Sequence, residues 1–220
     1  MTLRTHSLLI AALATTACAP AASHSARPAP APVIIAPPGG AAMADSVRHS
    51  VTPADVAFMS GMIGHHAQAL IMAGWAPSHG ASPEVRVLAG RIINAQTDEI
   101  HLMQAWLRDN HLPVPPVEPG MRMVMNGQEH LMLMPGMLSE AQMAQLDSAR
   151  GRDFDRLFLT FMIQHHRGAV AMVEDLFTHP GAGQNDVVFK FASDANVDQT
   201  TEVERMRRML FDLTVNATGP

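Results

Sequence analysis

The chain has 220 residues, enough for one good-sized domain, and it contains 17 methionines, 12 histidines, one cysteine and no tyrosine. Its formal net charge of −5 gives no reason to expect nucleic acid or an anionic membrane surface as a partner. The one cysteine excludes an intramolecular disulfide.

Residues 1–18 have the features of a secretory signal peptide. Arg4 and His6 precede an apolar run over residues 8–17 that is too short to span a bilayer. The run ends at Cys18, and a small residue before a lone cysteine is typical of a bacterial lipoprotein signal, although Thr15 replaces the usual aliphatic residue. We predict export to the periplasm or cell envelope, with a lipid anchor at Cys18 as the membrane attachment. Ordinary cleavage that yields a free protein is the alternative.

Residues 19–50 consist mainly of Ala, Pro, Ser and Gly and contain little apolar bulk. Such a segment cannot bury enough surface to offset its ordering entropy, and its proline content favours an extended chain. We therefore predict a flexible tether between the signal peptide and the folded domain.

Four long helices are predicted in a domain over residues 51–215. The segment Thr52-Pro53-Ala54-Asp55 combines a capping threonine with a proline suited to the first helical turn, and Ser82-Pro83-Glu84 repeats the signal. The predicted helices cover residues 53–75, 83–110, 153–178 and 186–213, the last of them capped by Asn185. The first helical hairpin then occupies residues 51–110, a methionine-rich connector residues 111–152, and the second hairpin residues 153–215.

The first and third helices share a motif that recurs after one hundred positions. In each copy a pair of adjacent histidines follows one methionine and precedes another. Helical spacing places these residues on one side of each helix, where a purely apolar face would be expected. The residues are Met62, His65, His66 and Met72 in the first copy, and Met162, His165, His166 and Met172 in the second.

The second and fourth helices share another motif, an apolar stripe interrupted by a glutamine and a glutamate. Its members are Gln96, Glu99 and Met103 in the second helix, and Gln199, Glu202 and Met206 in the fourth. The two repeats together indicate a tandem duplication of a helical hairpin. Because a buried carboxylate needs a partner, each glutamate is expected to bond a histidine of a neighbouring helix. Such a pair could be purely structural, or it could orient a metal-binding histidine.

The connector is predicted to contain a β-hairpin and a short helix over residues 139–150 that is closed by Gly151. A two-residue turn at Asn126-Gly127 favours a hairpin that pairs Met123 with His130. The resulting common face could hold a soft cation, or it could simply pack on the helices. This possible secondary site comprises Met121, Met123, Met125, His130 and Met132.

Thioether sulfur and imidazole nitrogen together suit Cu(I) and Ag(I), and imidazole alone suits Cu(II), Zn(II) or Ni(II). Hard cations such as Mg²⁺ and Ca²⁺ would require several carboxylates, and structural zinc sites usually draw on cysteine. We therefore predict that the two histidine–methionine motifs bind copper, as Cu(I) or Cu(II), or silver.

The paired histidines, the Gln-x-x-Glu helices and the connector sequence from Met134 to Met143 resemble the ferritin-like family known as domain of unknown function 305. The resemblance extends over about residues 50–213. It implies an all-α, ferritin-like four-helix bundle with a long crossover between helices 2 and 3. It also implies copper or silver binding in the cell envelope, because characterised members include a periplasmic copper-binding protein. Helix 4 departs most from the pattern, at residues 195–198.

Three functions are compatible with these residues. The favoured one is an exported protein that sequesters copper or silver, or passes it to another envelope copper carrier, without turnover. The second is a dinuclear redox enzyme that uses the four histidines with Glu99 and Glu202. Ferritin-like di-iron sites, however, use about four carboxylates and Glu-x-x-His spacing, which these motifs lack. The third is a structural bundle whose histidines make only hydrogen bonds.

Overall fold

The computed structural model describes residues 51–215, without the side chains of residues 123–125 and 129. The predicted signal peptide, the tether and Cys18 lie outside the described residues. The described part is mostly helical, with a two-stranded antiparallel sheet in the connector. Among the described residues, no helix is long and apolar enough to cross a bilayer.

The four predicted long helices are present, and each of their ends lies within two residues of its predicted position. Gly151 was wrongly predicted to close the short helix, because it adopts φ 56° at the first position of a long helix and its N–H donates to the carbonyl of His79. The elements are α1 Pro53–Gly74, α2 Pro83–Asp109, β1 Met121–Met125, β2 Gln128–Met132, α3 Glu140–Ser148, α4 Gly151–Leu176 and α5 Asp186–Val215.

Three of the long helices begin at the capping residues that the sequence indicates. Thr52 and Asp55 form a reciprocal capping box at the start of α1. The hydroxyl of Ser82 accepts from the N–H of Val85, and the side-chain oxygen of Asn185 accepts from the first turn of α5. These side chains satisfy N–H groups that have no partner within the helix.

The two helical hairpins pack against each other through α1 and α4. The core consists of two apolar clusters, and each cluster combines residues from both halves of the chain. Met62 of the first half lies in one cluster with Met172 of the second, and Met72 lies in the other with Met162. This exchange of equivalent residues indicates that the two halves are related by an approximate twofold axis.

A pair of buried aspartates at equivalent positions joins the two halves. In α1, the Asp55 carboxylate accepts from the N–H of Gly183 at 2.7 Å, in the loop before α5. In α4, the Asp155 carboxylate accepts from the N–H of Ser82 at 3.1 and 3.2 Å, at the start of α2. Each half therefore holds the inter-helix loop of the other. The sequence did not single out Asp155, because its partner is a backbone group.

Asp155→Ala should lower the free energy of unfolding by about 2 kcal/mol, because it removes a buried charged acceptor and leaves the partly buried N–H of Ser82 without its partner. The control is Asp153→Ala, which removes an exposed carboxylate from the same helical turn and should cost less than about 1 kcal/mol. Urea unfolding followed by circular dichroism measures both. Equal losses in the two variants would contradict the role given to Asp155.

The connector lies against α1 and α4 at two glycines. A Cβ on Gly64 would overlap the carbonyl oxygen of Gly120, and a Cβ on Gly168 would overlap that of Pro135. The equivalent positions of the opposite halves are Gln164 and Gln68, whose side chains hydrogen-bond the connector backbone. The single connector thus contacts both halves, and at these positions the repeat is not exact.

The predicted hairpin register is confirmed, since Met121 pairs with Met132 and Met123 with His130. Asn126 and Gly127 form the turn with φ values of 55° and 76°, in the left-handed region that a two-residue hairpin turn requires.

Candidate metal centre

The four motif histidines meet at the centre of the packed helices, and all of them are completely buried. The rings of His65 and His165 are in contact across the two halves, with centroids 3.8 Å apart and planes tilted by 39°. Within each helix the neighbouring rings are further apart, at 6.1 Å for His65–His66 and 6.3 Å for His165–His166. The duplication therefore places one histidine of each pair against its counterpart.

Each glutamate bonds a histidine of another helix, as the sequence predicts, and the structure shows that it is the second histidine of each pair. The Nε2 atom of His66 lies 2.6 Å from Oε2 of Glu99, and the Nε2 atom of His166 lies 2.7 Å from Oε2 of Glu202. The histidines are wholly enclosed, while the glutamate side chains are 19% and 24% exposed. Each carboxylate thus connects a buried ring to the protein surface.

The first histidine of each pair bonds a backbone carbonyl instead. The Nε2 atom of His65 lies 3.1 Å from the oxygen of Pro135, in the connector. The Nε2 atom of His165 lies 3.0 Å from the carbonyl oxygen of His65 itself. The ring of His65 is therefore held by the connector, and the ring of His165 by the opposite helix.

These contacts establish the tautomer of all four rings. A carbonyl or an ionised carboxylate can only accept a hydrogen bond, so Nε2 carries the proton in each neutral ring. The lone pair then lies on Nδ1, and no described residue offers a hydrogen bond to the Nδ1 atom of any of the four histidines. An unprotonated imidazole nitrogen is the form that binds a metal ion.

Burial keeps the contacting pair neutral. Desolvation, followed by the charge of His66, lowers the pKa of His65 from 6.5 to about 3. Desolvation, followed by the charge of His65, lowers the pKa of His165 well below 6.5. At neutral pH both Nδ1 lone pairs are therefore available without competition from protons.

The two seam glutamines add further polar atoms to the core. Gln96 and Gln199 are buried one helical turn before the two glutamates. Neither side-chain polar atom of Gln96, nor the side-chain oxygen of Gln199, has a hydrogen-bond partner among the described residues. Buried polar groups of this kind are unusual in a core that only has to be packed.

Among the described residues, no three His, Cys, Asp or Glu side chains are close enough together to form a metal site as they stand. Of the four motif histidines, His65 and His165 form the ring pair that joins the two halves.

The methionines predicted as ligands lie in the apolar clusters. Three of them, Met62, Met72 and Met162, are fully buried, and Met172 is 8% exposed. Their packing is that of core residues, and their role as ligands stays a prediction. Met103 and Met206, which belong to the Gln-x-x-Glu stripes, are also fully buried.

For the possible secondary site on the hairpin, the structure describes three of the five predicted side chains. Met121 is half-buried, whereas His130 and Met132 are exposed, and the side chains of Met123 and Met125 lie outside the described residues. Met121 and Met132 instead line a cavity together with Met134 and His179. Sequence reasoning missed Met134 and His179, although the dense methionine sequence around Met134 was a signal.

Comparisons with known proteins identify relatives of the chain. A family model described as domain of unknown function (DUF305) matches residues 55–210. A DUF305 fragment from Deinococcus radiodurans is 31% identical, with 73% of this chain and 97% of that chain covered and a TM-score of 0.61. A candidate secreted DUF305 protein from Streptomyces coelicolor is 28% identical, with coverages of 73% and 94% and a TM-score of 0.61.

A further solved relative is CopM. In its Cu(II)-bound form it is 28% identical over 72% of this chain and 96% of its own, with a TM-score of 0.56. Structures of CopM bound to Cu(I) and to silver are similar at 27% identity. No curated protein matches the chain.

Proposed function

This chain belongs to the DUF305 family, and we propose that it is an exported protein that sequesters or delivers copper or silver. In this role it would contribute to metal homeostasis or resistance. The ion is cargo, and the protein binds it stoichiometrically without turnover. The observation that carries the proposal is the group of four fully buried imidazoles whose Nδ1 atoms have no hydrogen-bond partner among the described residues.

A purely structural role of the four histidines explains why each Nε2 atom is hydrogen-bonded, but it does not explain why each Nδ1 atom is buried without a partner among the described residues. Leaving a buried acceptor without a hydrogen bond costs about 1–3 kcal/mol, and four such atoms in one core are expensive for packing alone. His79 provides the contrast, since it is nearly buried but has Nδ1 bonded to Ser78 and Nε2 bonded to Asp147. A metal ion that accepts Nδ1 lone pairs accounts for the difference.

We place the cargo at the contact between His65 and His165, where one ion would be shared by both halves. Glu99 and Glu202 hold the rings of His66 and His166 through Nε2 and leave Nδ1 to face the core. This is the carboxylate–histidine arrangement that orients metal-binding imidazoles in proteins. Because both glutamates are already engaged in this way, the core offers few carboxylates for dinuclear oxygen chemistry.

The identity of the ion follows from the donors and from the relatives. Imidazole and thioether groups favour soft or borderline ions, and CopM has been crystallised with Cu(I), Cu(II) and silver. At 27–28% identity these structures support copper or silver as the cargo of this chain. We further propose that α1, α2, α4 and α5 form a ferritin-like four-helix bundle, with the connector as its long crossover.

The proposed location is the periplasm or cell envelope. The signal peptide predicted at residues 1–18 and the lipid anchor predicted at Cys18 support it, and so does the candidate secreted relative. An envelope copper carrier is the proposed partner for delivery.

Copper and silver titration of the purified protein, with the bound metal measured after desalting, tests the proposal. The wild-type protein should retain tightly bound copper. His65→Gln and His165→Gln should each weaken binding at least tenfold, because each removes one Nδ1 donor. Glu99→Gln should weaken it by about 10- to 100-fold, as is typical when the carboxylate behind a metal-binding histidine is lost.

The matched control is His79→Gln, which removes a buried histidine whose two nitrogens are both occupied. It should leave the copper stoichiometry unchanged, and circular dichroism should verify that every variant is folded. Equal metal retention by the wild type and by folded His65→Gln and His165→Gln proteins would refute the proposed centre. Oxygen consumption by the copper-loaded protein would instead favour the redox enzyme.

A further inference from the structure

A cavity of about 590 Å³ lies outside the histidine core. Its walls are the start of α1, the end of α4, the hairpin and the segment that follows the hairpin. Four of its lining residues are methionines, and we call the cavity the methionine pocket. These residues are Met121, Met132, Met134 and Met172.

Three of the thioether side chains converge on one point above Gly61. A Cβ at this glycine would lie 3.2 Å from the sulfur of Met134, 3.5 Å from the terminal methyl of Met172 and 3.6 Å from that of Met121. The equivalent residue of the second half is Phe161. The pocket therefore depends on a departure from the repeat, since a phenylalanine at position 61 would occupy the space in which these side chains meet.

An imidazole ring and a carboxylate lie at the rim of the methionine pocket. The Nδ1–H of His179 donates to the carbonyl oxygen of Asp175 at 2.9 Å, so Nε2 carries the lone pair in the neutral ring. Both residues are exposed and both line the pocket. The carboxylate of Asp175 supplies a negative charge at the entrance, which favours the approach of a cation.

The pocket is open to solvent in a way that the histidine core is not. Met132 is 42% exposed, whereas the four core histidines are completely buried. An ion can therefore reach the pocket without separation of the helices, but it cannot reach the core in that way. Met172 belongs to the pocket wall and also packs in the apolar cluster with Met62, so the pocket borders the interior of the protein.

We propose that the methionine pocket is a separate, solvent-facing binding site for a soft monovalent cation, Cu(I) or Ag(I), which it takes up through thioether sulfur and the Nε2 atom of His179. Thioethers are neutral, soft donors that select Cu(I) and discriminate against hard cations. The inference relies on the proposed function only for the identity of the cargo, and not on the histidine core. The site differs from the hairpin face predicted from the sequence, because Met134, Met172 and His179 replace Met123, Met125 and His130.

Titration with silver nitrate in chloride-free buffer, followed by NMR of protein labelled with ¹³C at the methionine methyl groups, tests the proposal. One bound Ag(I) should shift the signals of the four pocket methionines, while those of Met143 and Met209 should not move. The Met134→Leu/Met172→Leu variant should bind this Ag(I) at least tenfold more weakly, because leucine conserves volume but provides no sulfur. The matched control, Met143→Leu/Met209→Leu, should bind it as the wild type does.

The same titration in the His65→Gln/His165→Gln variant separates this site from the histidine core. Shifts of the pocket methionines that persist in this variant support an independent site, whatever the fate of the core. Unshifted pocket methionines in a wild-type protein that still binds copper through its histidines would overturn the inference and leave the proposed function standing. Equal Ag(I) affinity of the two double-leucine variants would also overturn it.

Discussion

Gly168→Ala should destabilise the protein by about 3 kcal/mol or more, the largest effect that we expect from adding one methyl group. The new Cβ would overlap the carbonyl oxygen of Pro135 and lie 2.6 Å from the Cα of Gly136. Both obstacles are backbone atoms, so no side-chain rotation can relieve the clash. The connector would have to move off α4, and the hydrogen bond from Gln164 to the Gly136 carbonyl would be lost with it.

Gly90→Ala is the matched control, because Gly90 lies within α2 and a Cβ there would meet no atom within 4 Å. This variant should be more stable than the wild type by up to about 1 kcal/mol, since alanine is the better helix former. Urea unfolding of the metal-free proteins measures both changes. If Gly168→Ala unfolded at the wild-type urea concentration, the close contact between connector and α4 would be excluded.

Acidification of the metal-free protein should produce the second large effect. Burial lowers the pKa of His65 to about 3, so between pH 6.5 and 3 this ring is protonated in the unfolded chain but not in the folded protein. The unfolded state therefore binds more protons, and stability falls as the pH falls. Above pH 6.5 the ring is neutral in both states and causes no loss of stability. Below pH 6.5 the free energy of unfolding falls by about 1.4 kcal/mol per pH unit, which amounts to a loss of about 3 kcal/mol at pH 4.

The experiment compares the free energy of unfolding of the wild type and of His65→Gln between pH 7 and pH 4, with a chelator present. Carboxylates titrate in both proteins, so the difference in slope isolates the imidazole. The stability of His65→Gln should depend less steeply on pH. Parallel curves for the two proteins would mean that His65 is as accessible to protons in the folded state as in the unfolded chain.

The sequence was sufficient for features that depend on local patterns. Proline and capping residues place the starts of α1 and α2, because the unpaired N–H groups of a first turn need an acceptor within a few residues. Asn126-Gly127 gives the hairpin register, because few other dipeptides adopt its turn. The His66–Glu99 and His166–Glu202 pairs also follow from the repeat, since a charge on an inward-facing stripe must find a partner on the adjacent helix.

Only the tertiary structure decided what surrounds the histidines. Their tautomers depend on the carbonyls of Pro135 and His65, and nothing periodic in the sequence indicates which backbone group will meet a buried ring. The sequence also does not indicate that the connector contacts Gly64 and Gly168 closely, or that Met134 and Met172 lie together in the methionine pocket. All of them depend on the path of the connector, which has no repeat or amphipathic pattern to define it. Local sequence therefore determined the helices and their polar stripes, while long-range packing determined which donor atoms lie together.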